Sequence, residues 1–437
     1  MKFPVLMVMA ALLCAAIAAE PGPPAGMKAI QGGSYLPLFL KDAKPRPVAA
    51  FHLDERPVTN GEFLEFVRTW SQWQRSKVPR LFADSGYLLN WAGDLELGPR
   101  AAANTPVTGV SWFAARAYLQ SHGKRLPSVD EWEYAGRADT RSADASKDPA
   151  FTKQLLEWYS RPASAVLPAA DAAAPDFNGI RGLHGVTWEW VNDFNAAMDT
   201  GEGRSGGSLE RDLYCAGGAA SAPNKTDYAA FMRYALRTSL RASFTMSSLS
   251  FRGAWSAGTV VPARVLSNQP VPAPRSLYHT AGAWTNQQGE TMALRQLGTH
   301  WQVLCMGYTS CQYACPRITA DMRTIERSLS PAAAERTRFT FVSIDPDRDT
   351  PAHLKSHAAN SHLEHWDFLT GDSGSVLELA AVLDVKYEKI EEDFAHSNTI
   401  VVLNPAGEIV IRLEGLGAAP AAAILAIEQQ SPAPAKP

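Results

Sequence analysis

Cysteine is scarce in this chain, with five in 437 residues, at positions 14, 215, 305, 311 and 315. That excludes a small fold stapled by a dense disulfide framework. Net charge is scarce as well, −3 from 41 Lys and Arg against 44 Asp and Glu, so nothing points to nucleic acid or an anionic membrane as partner. After the first twenty residues no apolar run is long enough to cross a bilayer. What is present is an ordinary globular composition, 46% hydrophobic and 19% charged, in a chain long enough for two or three domains.

Lys2, the apolar stretch Phe3 to Ala16 and small residues through Ala19 have the layout of an export signal, and Ala16-Ile17-Ala18 fits an A-x-A cleavage site. Leu13 is too bulky for the position before a lipidated cysteine, so Cys14 is assigned to the discarded signal, residues 1–19. The mature protein is expected to be periplasmic and soluble, tethered to the membrane only if the signal is retained. Residues 257–276 are Pro-rich and aperiodic and read as a linker, and residues 430–437 as a disordered tail. They leave an irregular α+β domain over 28–256 and an α/β domain over 277–429.

In the first domain, Thr59-Asn60-Gly61-Glu62 and Ser128-Val129-Asp130-Glu131 are capping boxes that start helices, and Ser111 to His122 reads as a helix stopped by Gly123. In the second, strands are expected at Trp301–Met306, Phe339–Ile344, Thr399–Leu403 and Glu408–Leu413. Helices are expected at Pro316–Leu329, Pro351–Ala359, Ser375–Leu383 and Ala418–Glu428, with Asn404-Pro405-Ala406-Gly407 closing a hairpin. Strand, thiol loop, helix, strand, helix, hairpin and helix is a thioredoxin-like order.

Only Cys311 and Cys315 form a constellation. Cys305 lies inside an apolar strand, where a thiol acts as a small hydrophobe, and Cys215 is isolated. The pair follows a strand and precedes a helix start, where the macrodipole and unpaired N–H groups favour a thiolate. Two soft sulfurs there suit Cu(I) or a reversible disulfide, and spacing alone does not choose between them. Two thiolates leave Cu(I) short of ligands, so a third donor should come from elsewhere. His353, His357, His362 and His365 fall on a helix and its exit, where solvent-facing rings are expected. His396 stands apart, in a loop just before the strand Thr399–Leu403.

Gly307-Tyr308-Thr309-x-Cys311-x-x-x-Cys315-Pro316, Ser343-Ile344-Asp345-Pro346-Asp347-Arg348-Asp349-Thr350-Pro351, and His396-Ser397 ahead of Asn404-Pro405-x-Gly407 resemble the Sco family. Its members are thioredoxin-fold copper metallochaperones and thiol-disulfide reductases that serve cuproenzyme assembly. The resemblance implies Cys311, Cys315 and His396 as copper ligands, with Cys311 and Cys315 as the redox pair, and Asp345 as a supporting acidic residue.

The first domain resembles the formylglycine-generating enzyme family through Phe51-His52-Leu53-Asp54-Glu55-Arg56-Pro57-Val58-Thr59-Asn60, Pro106-Val107-x-x-Val110-Ser111-Trp112 and Gly123-Lys124-Arg125-Leu126-Pro127-Ser128-x-x-Glu131-Trp132-Glu133-Tyr134. Gly182-Leu183-His184-Gly185-x-x-Trp188-Glu189-Trp190 and Ser250-Phe251-Arg252 continue it. Active members hold Cu(I) through two cysteines late in the domain. Here no cysteine of the domain follows Cys215, so formylglycine formation is not expected. Calcium, which the family often binds near the Trp-Glu-Trp motif, loses its Asn to Val186 while Glu189 remains. Trp112, Trp132, Trp188 and Trp190 are expected in the core.

The sequence thus points to an exported copper metallochaperone or thiol-disulfide reductase. It would serve a periplasmic cuproenzyme client (a respiratory oxidase, nitrous oxide reductase or copper nitrite reductase) and be recharged by a thiol reductant. The first domain would recognise the client or act as scaffold. The alternatives are a formylglycine-type oxidase supplied with copper by the second domain, and a pure binding module.

Overall fold

The computed structural model describes residues 22–37, 45–161, 164, 166–195, 225–258, 273–390 and 393–429. The signal 1–19, Cys215, most of the linker and the tail 430–437 lie outside them.

The N-terminal domain is built from short pieces. Its strands are β1 (Met27–Ile30), β2 (Gly33–Tyr35), β3 (Arg46–Val48), β4 (Phe51–Asp54), β5 (Trp188–Glu189), β6 (Leu249–Ser250) and β7 (Ala254–Trp255). They form a three-stranded antiparallel sheet ordered β1-β4-β7 and two small pairs, β2-β3 and β5-β6. Helices α1 (Asn60–Thr69), α2 (Trp112–Ser121), α3 (Val129–Ala135), α4 (Pro149–Tyr159) and α5 (Lys225–Ser239) pack around them. Local chemistry sets the helix starts. Thr59 and Ser128 each accept from the third backbone N–H, and Glu62 and Glu131 return the bond to the cap backbone. Ser111 caps α2, and Gly123, at φ +66°, takes the left-handed backbone just after its end.

A buried ion pair ties this irregular chain together. Arg252 and Glu189 are both fully removed from solvent, 2.8 Å apart. The remaining Arg252 donors reach the carbonyls of Asp54 and Arg181, and Trp132 Nε1 donates to Glu189 at 2.9 Å. Every charge is matched, as burial demands. The Glu189 carboxylate that the sequence left open for calcium is therefore held by Arg252 and Trp132. Trp112, Trp132 and Trp190 are buried as expected. Trp188 is a correction. It is only half-buried, stacked on Tyr159 with ring centroids 5.0 Å apart at the edge of a cleft.

The C-terminal domain contains strands β8 (Ala283–Asn286), β9 (Thr291–Ala293), β10 (Trp301–Gly307), β11 (Thr337–Ser343), β12 (Asp367–Gly371), β13 (Tyr387–Ile390), β14 (Asp393–His396), β15 (Thr399–Leu403) and β16 (Ile409–Glu414). Its helices are α6 (Ala314–Ser328), α7 (Pro331–Glu335), α8 (Pro351–Asn360), α9 (Ser373–Leu383) and α10 (Ala421–Gln429). Seven strands form one mixed sheet in the order β16-β15-β10-β11-β12-β8-β9. β10 lies inside it, parallel to β11 and antiparallel to β15, with every residue buried. That burial explains its unbroken apolar run. The expected strands and helices are all found, with ends shifted by a few residues. The β15–β16 hairpin turns at Gly407, φ +80°. Strands β8, β9 and β12 and the pair β13-β14 were not expected. His396, expected in a loop, is instead the last residue of β14, paired with Tyr387.

Helix α9 is largely apolar because both sides are covered. Val376, Leu379, Ala380 and Leu383 belong to the C-terminal core, while Ala381, with Leu377 and Val382, packs into the N-terminal core. Arg116 of α2 adds a hydrogen bond to the Gly374 carbonyl at 3.1 Å and lies 3.7 Å from Glu378. Among the described residues no helix is long and apolar enough to cross a membrane.

Arg252→Met strands the Glu189 charge in the core and is expected to cost about 3–5 kcal/mol. Adding Glu189→Leu should recover most of that loss. Urea unfolding of the three chains checks the order, and equal midpoints for Arg252→Met and wild type would contradict it.

Candidate metal centre

Strand β10 delivers the chain to the thiol loop, and α6 begins within it. Tyr313 precedes α6 without providing a side-chain cap. The Cys311 sulfur takes that place, accepting from the Cys315 N–H at 3.4 Å. Pro316 follows inside the first turn, where its missing N–H leaves no donor unsatisfied. Cys315 is buried against the end of β10, and its sulfur accepts from the Tyr308 N–H at 3.4 Å. Gly307 makes room for it, since a Cβ there would fall 2.8 Å from the Cys315 sulfur.

His396 arrives from the hairpin β13–β14. Its Nε2 lies 3.6 Å from the Cys315 sulfur, and its Nδ1 is 3.1 Å from the Ser397 carbonyl. A carbonyl only accepts, so Nδ1 carries a proton and the other nitrogen is turned to the sulfurs. The donor atoms of Cys311, Cys315 and His396 all lie within 4.8 Å of one another. Among the described residues no other group of His, Cys, Asp and Glu comes together in this way.

The two thiols act on one another. The Cys315 S–H stabilises ionised Cys311, and with the His396 ring and the backbone N–H groups of Cys315 and Tyr313 it pulls Cys311 down to about 3 against partial burial. Cys315 is pushed far up by the same bond, by burial and by the neighbouring negative charge. Cys311 is thus the half-exposed thiol on which negative charge is favoured, and Cys315 the buried one on which it is not. Cys305 lies within β10, its thiol pushed up to about 12 by burial, the inert small hydrophobe expected of it.

The carboxylates hold the loop in a way the sequence did not reveal. Asp345 is buried and pairs with Arg348. Asp349, fully buried four residues on, reaches the thiol loop. It accepts from the Thr309 N–H at 3.1 Å, from the Thr309 hydroxyl and from the Ser343 hydroxyl at 2.6 Å. Tyr308 links loop to hairpin, donating to Asp393 at 2.5 Å and meeting the His396 ring edge-on with centroids 5.7 Å apart. The only sequence trace of these roles was the clustering of Asp349 with Asp345 and Asp347. His353, His362 and His365 are exposed as expected, whereas His357 is half-buried against Phe341 and Phe368.

In the N-terminal domain, a cleft lined by Trp132, Trp158, Tyr159 and Trp188 also contains Arg233 and Arg237. Both arginines bond to buried Glu133, each with a closest contact of 2.6 Å, which lowers the Glu133 carboxyl to about 2 against its burial.

Fold and site define a two-domain protein in which an irregular α+β unit precedes a thioredoxin-like domain with a dithiol–imidazole cluster. The chain belongs to the sulfatase-modifying factor enzyme 1-like domain family, whose model matches residues 16–257, and to the SCO1/SenC family, whose model matches residues 275–430. The SCO1 protein homolog of Bacillus subtilis is 31% identical over 137 residues, covering 30% of this chain and 70% of that protein. Hercynine oxygenase of Mycobacterium tuberculosis is 30% identical over 177 residues, covering 36% of this chain, which spans 41% of that enzyme. The structure of Bradyrhizobium japonicum ScoI with copper bound aligns at 24% identity and TM-score 0.30, covering 34% of this chain and 96% of that one.

Alkylation of copper-free, reduced protein by iodoacetamide should label Cys311 at a rate that changes little from about pH 8 to pH 5, where an ordinary thiol loses about tenfold per unit. Mass spectrometry of the labelled peptide reads the rate. A tenfold-per-unit fall at Cys311 would remove the assignment of a standing thiolate.

Proposed function

We propose that this chain handles copper as cargo, with Cys311, Cys315 and His396 as its donors. The convergence of two sulfurs and one imidazole nitrogen carries this reading. Soft thiolates with a borderline imidazole suit Cu(I), and three donors fall short of the four that structural zinc usually gathers. Membership of the SCO1/SenC family, whose model spans all three residues, also supports it.

The same atoms support a second use on the same site. The Cys311 thiolate can attack a client disulfide, forming a mixed disulfide and releasing one client thiolate. Cys315 then gives up its proton and attacks Cys311. The second client sulfur leaves, so the client gains two electrons and this chain ends as the Cys311–Cys315 disulfide. An oxidised pair cannot hold the metal, because binding requires thiolates. Both uses therefore need an external thiol reductant in an oxidising compartment such as the periplasm, to which residues 1–19, read as an export signal, would carry the chain. The client is a cuproenzyme under assembly, and the N-terminal domain contributes recognition or scaffold.

Anaerobic titration with Cu(I) should give one site per chain, lost in Cys311→Ala and in Cys315→Ala. His396→Ala should weaken binding by at least roughly the 10–100-fold that losing a mere supporting partner of a ligand costs. Cys215→Ala should leave stoichiometry and affinity unchanged. Full affinity in both thiol variants would overturn the reading.

A further inference from the structure

The hairpin that carries His396 is outside the seven-stranded sheet, as a separate two-stranded unit. Such a hairpin is marginal in water unless something packs against it. On one side Tyr308 bonds Asp393 and packs on Phe394 with centroids 5.4 Å apart. On the other side the support comes from the N-terminal domain. Arg46 of β3 bonds Glu388 of β13 at 3.0 Å, with only 17% of the Glu388 side chain exposed. Asp130 of α3 flanks Arg46 at 3.4 Å and accepts from the Tyr35 hydroxyl at 2.5 Å. Asn195, buried, donates to the Val385 carbonyl at 3.0 Å, two residues before β13 begins. Glu388 pairs with Ala395 and Tyr387 with His396, so this brace is one register step from the imidazole.

We propose that the N-terminal domain positions the third donor: Arg46 and Asn195 are positioning residues that hold the hairpin so that His396 stays over Cys315. A partly buried charge-assisted hydrogen bond and a buried amide–carbonyl bond resist swinging the strand away from the thiol loop. The domain thus acts on the site without contributing a ligand to it. The affinity measurement depends on the copper reading above, whereas the exchange measurement does not.

The test uses the full chain. In metal-free protein, Arg46→Ala and Asn195→Ala should each raise amide hydrogen exchange across Tyr387–His396 by about tenfold, the equivalent of losing one such bond. Exchange in β10, β11 and β15 should stay at wild-type rates. Arg56→Ala, which breaks the pair with Glu62 in the same domain, should leave the hairpin unchanged. Under competition with a chromophoric Cu(I) chelator, Arg46→Ala should weaken binding in wild type but add nothing in the His396→Ala background. Unchanged hairpin exchange in both Arg46→Ala and Asn195→Ala overturns the proposal, and so does full additivity with His396→Ala. If wild type binds no Cu(I), the copper reading fails and the exchange result alone decides the positioning role.

Discussion

The thiol site depends on a sulfur doing the work of a helix cap. A helix that starts without a side-chain acceptor leaves backbone donors pointing at nothing. Here the Cys311 sulfur answers them, and the answer is strongest when it is ionised. Much of the surrounding design follows. Cys315 can sit beside an anionic neighbour only by keeping its own proton, and it can sit there at all only because Gly307 has no side chain. Asp349 fixes Thr309 so that the loop meets the helix at the right place.

The three donors come from three different mechanical settings. One sulfur is on an open loop, one is pinned between a helix and the end of β10, and the nitrogen is on a hairpin shared with another domain. The imidazole is held from behind by the Ser397 carbonyl, so its Nε2 is turned to the sulfurs.

Legibility tracked locality. The helix starts at Thr59 and Ser128 were readable because the capping box is contained in four residues. β10, β11 and β15 were readable because buried strands are written as apolar runs. β12, Asp-Phe-Leu-Thr-Gly, is short and mixed, and β13 and β14 carry Glu388, Lys389 and Asp393 because they pack on a loop and a second domain rather than on a sheet. That is why His396 looked like a loop residue although its partnership with the thiols could be anticipated from the motif order. Asp349 was hidden differently. In a Pro- and Asp-rich stretch every carboxylate resembles a turn cap, and only the three-dimensional path shows which one reaches Thr309. The brace through Arg46 joins positions 342 residues apart and left no local pattern at all.

Helix α9 is a seam with no weather side. One flank completes the thioredoxin-like core and the other plugs the irregular domain, so neither half owns it. Severing the chain at its Pro-rich connector would leave the second half with a bare oily stripe and the first with an open socket. The two halves are therefore bound to melt as one.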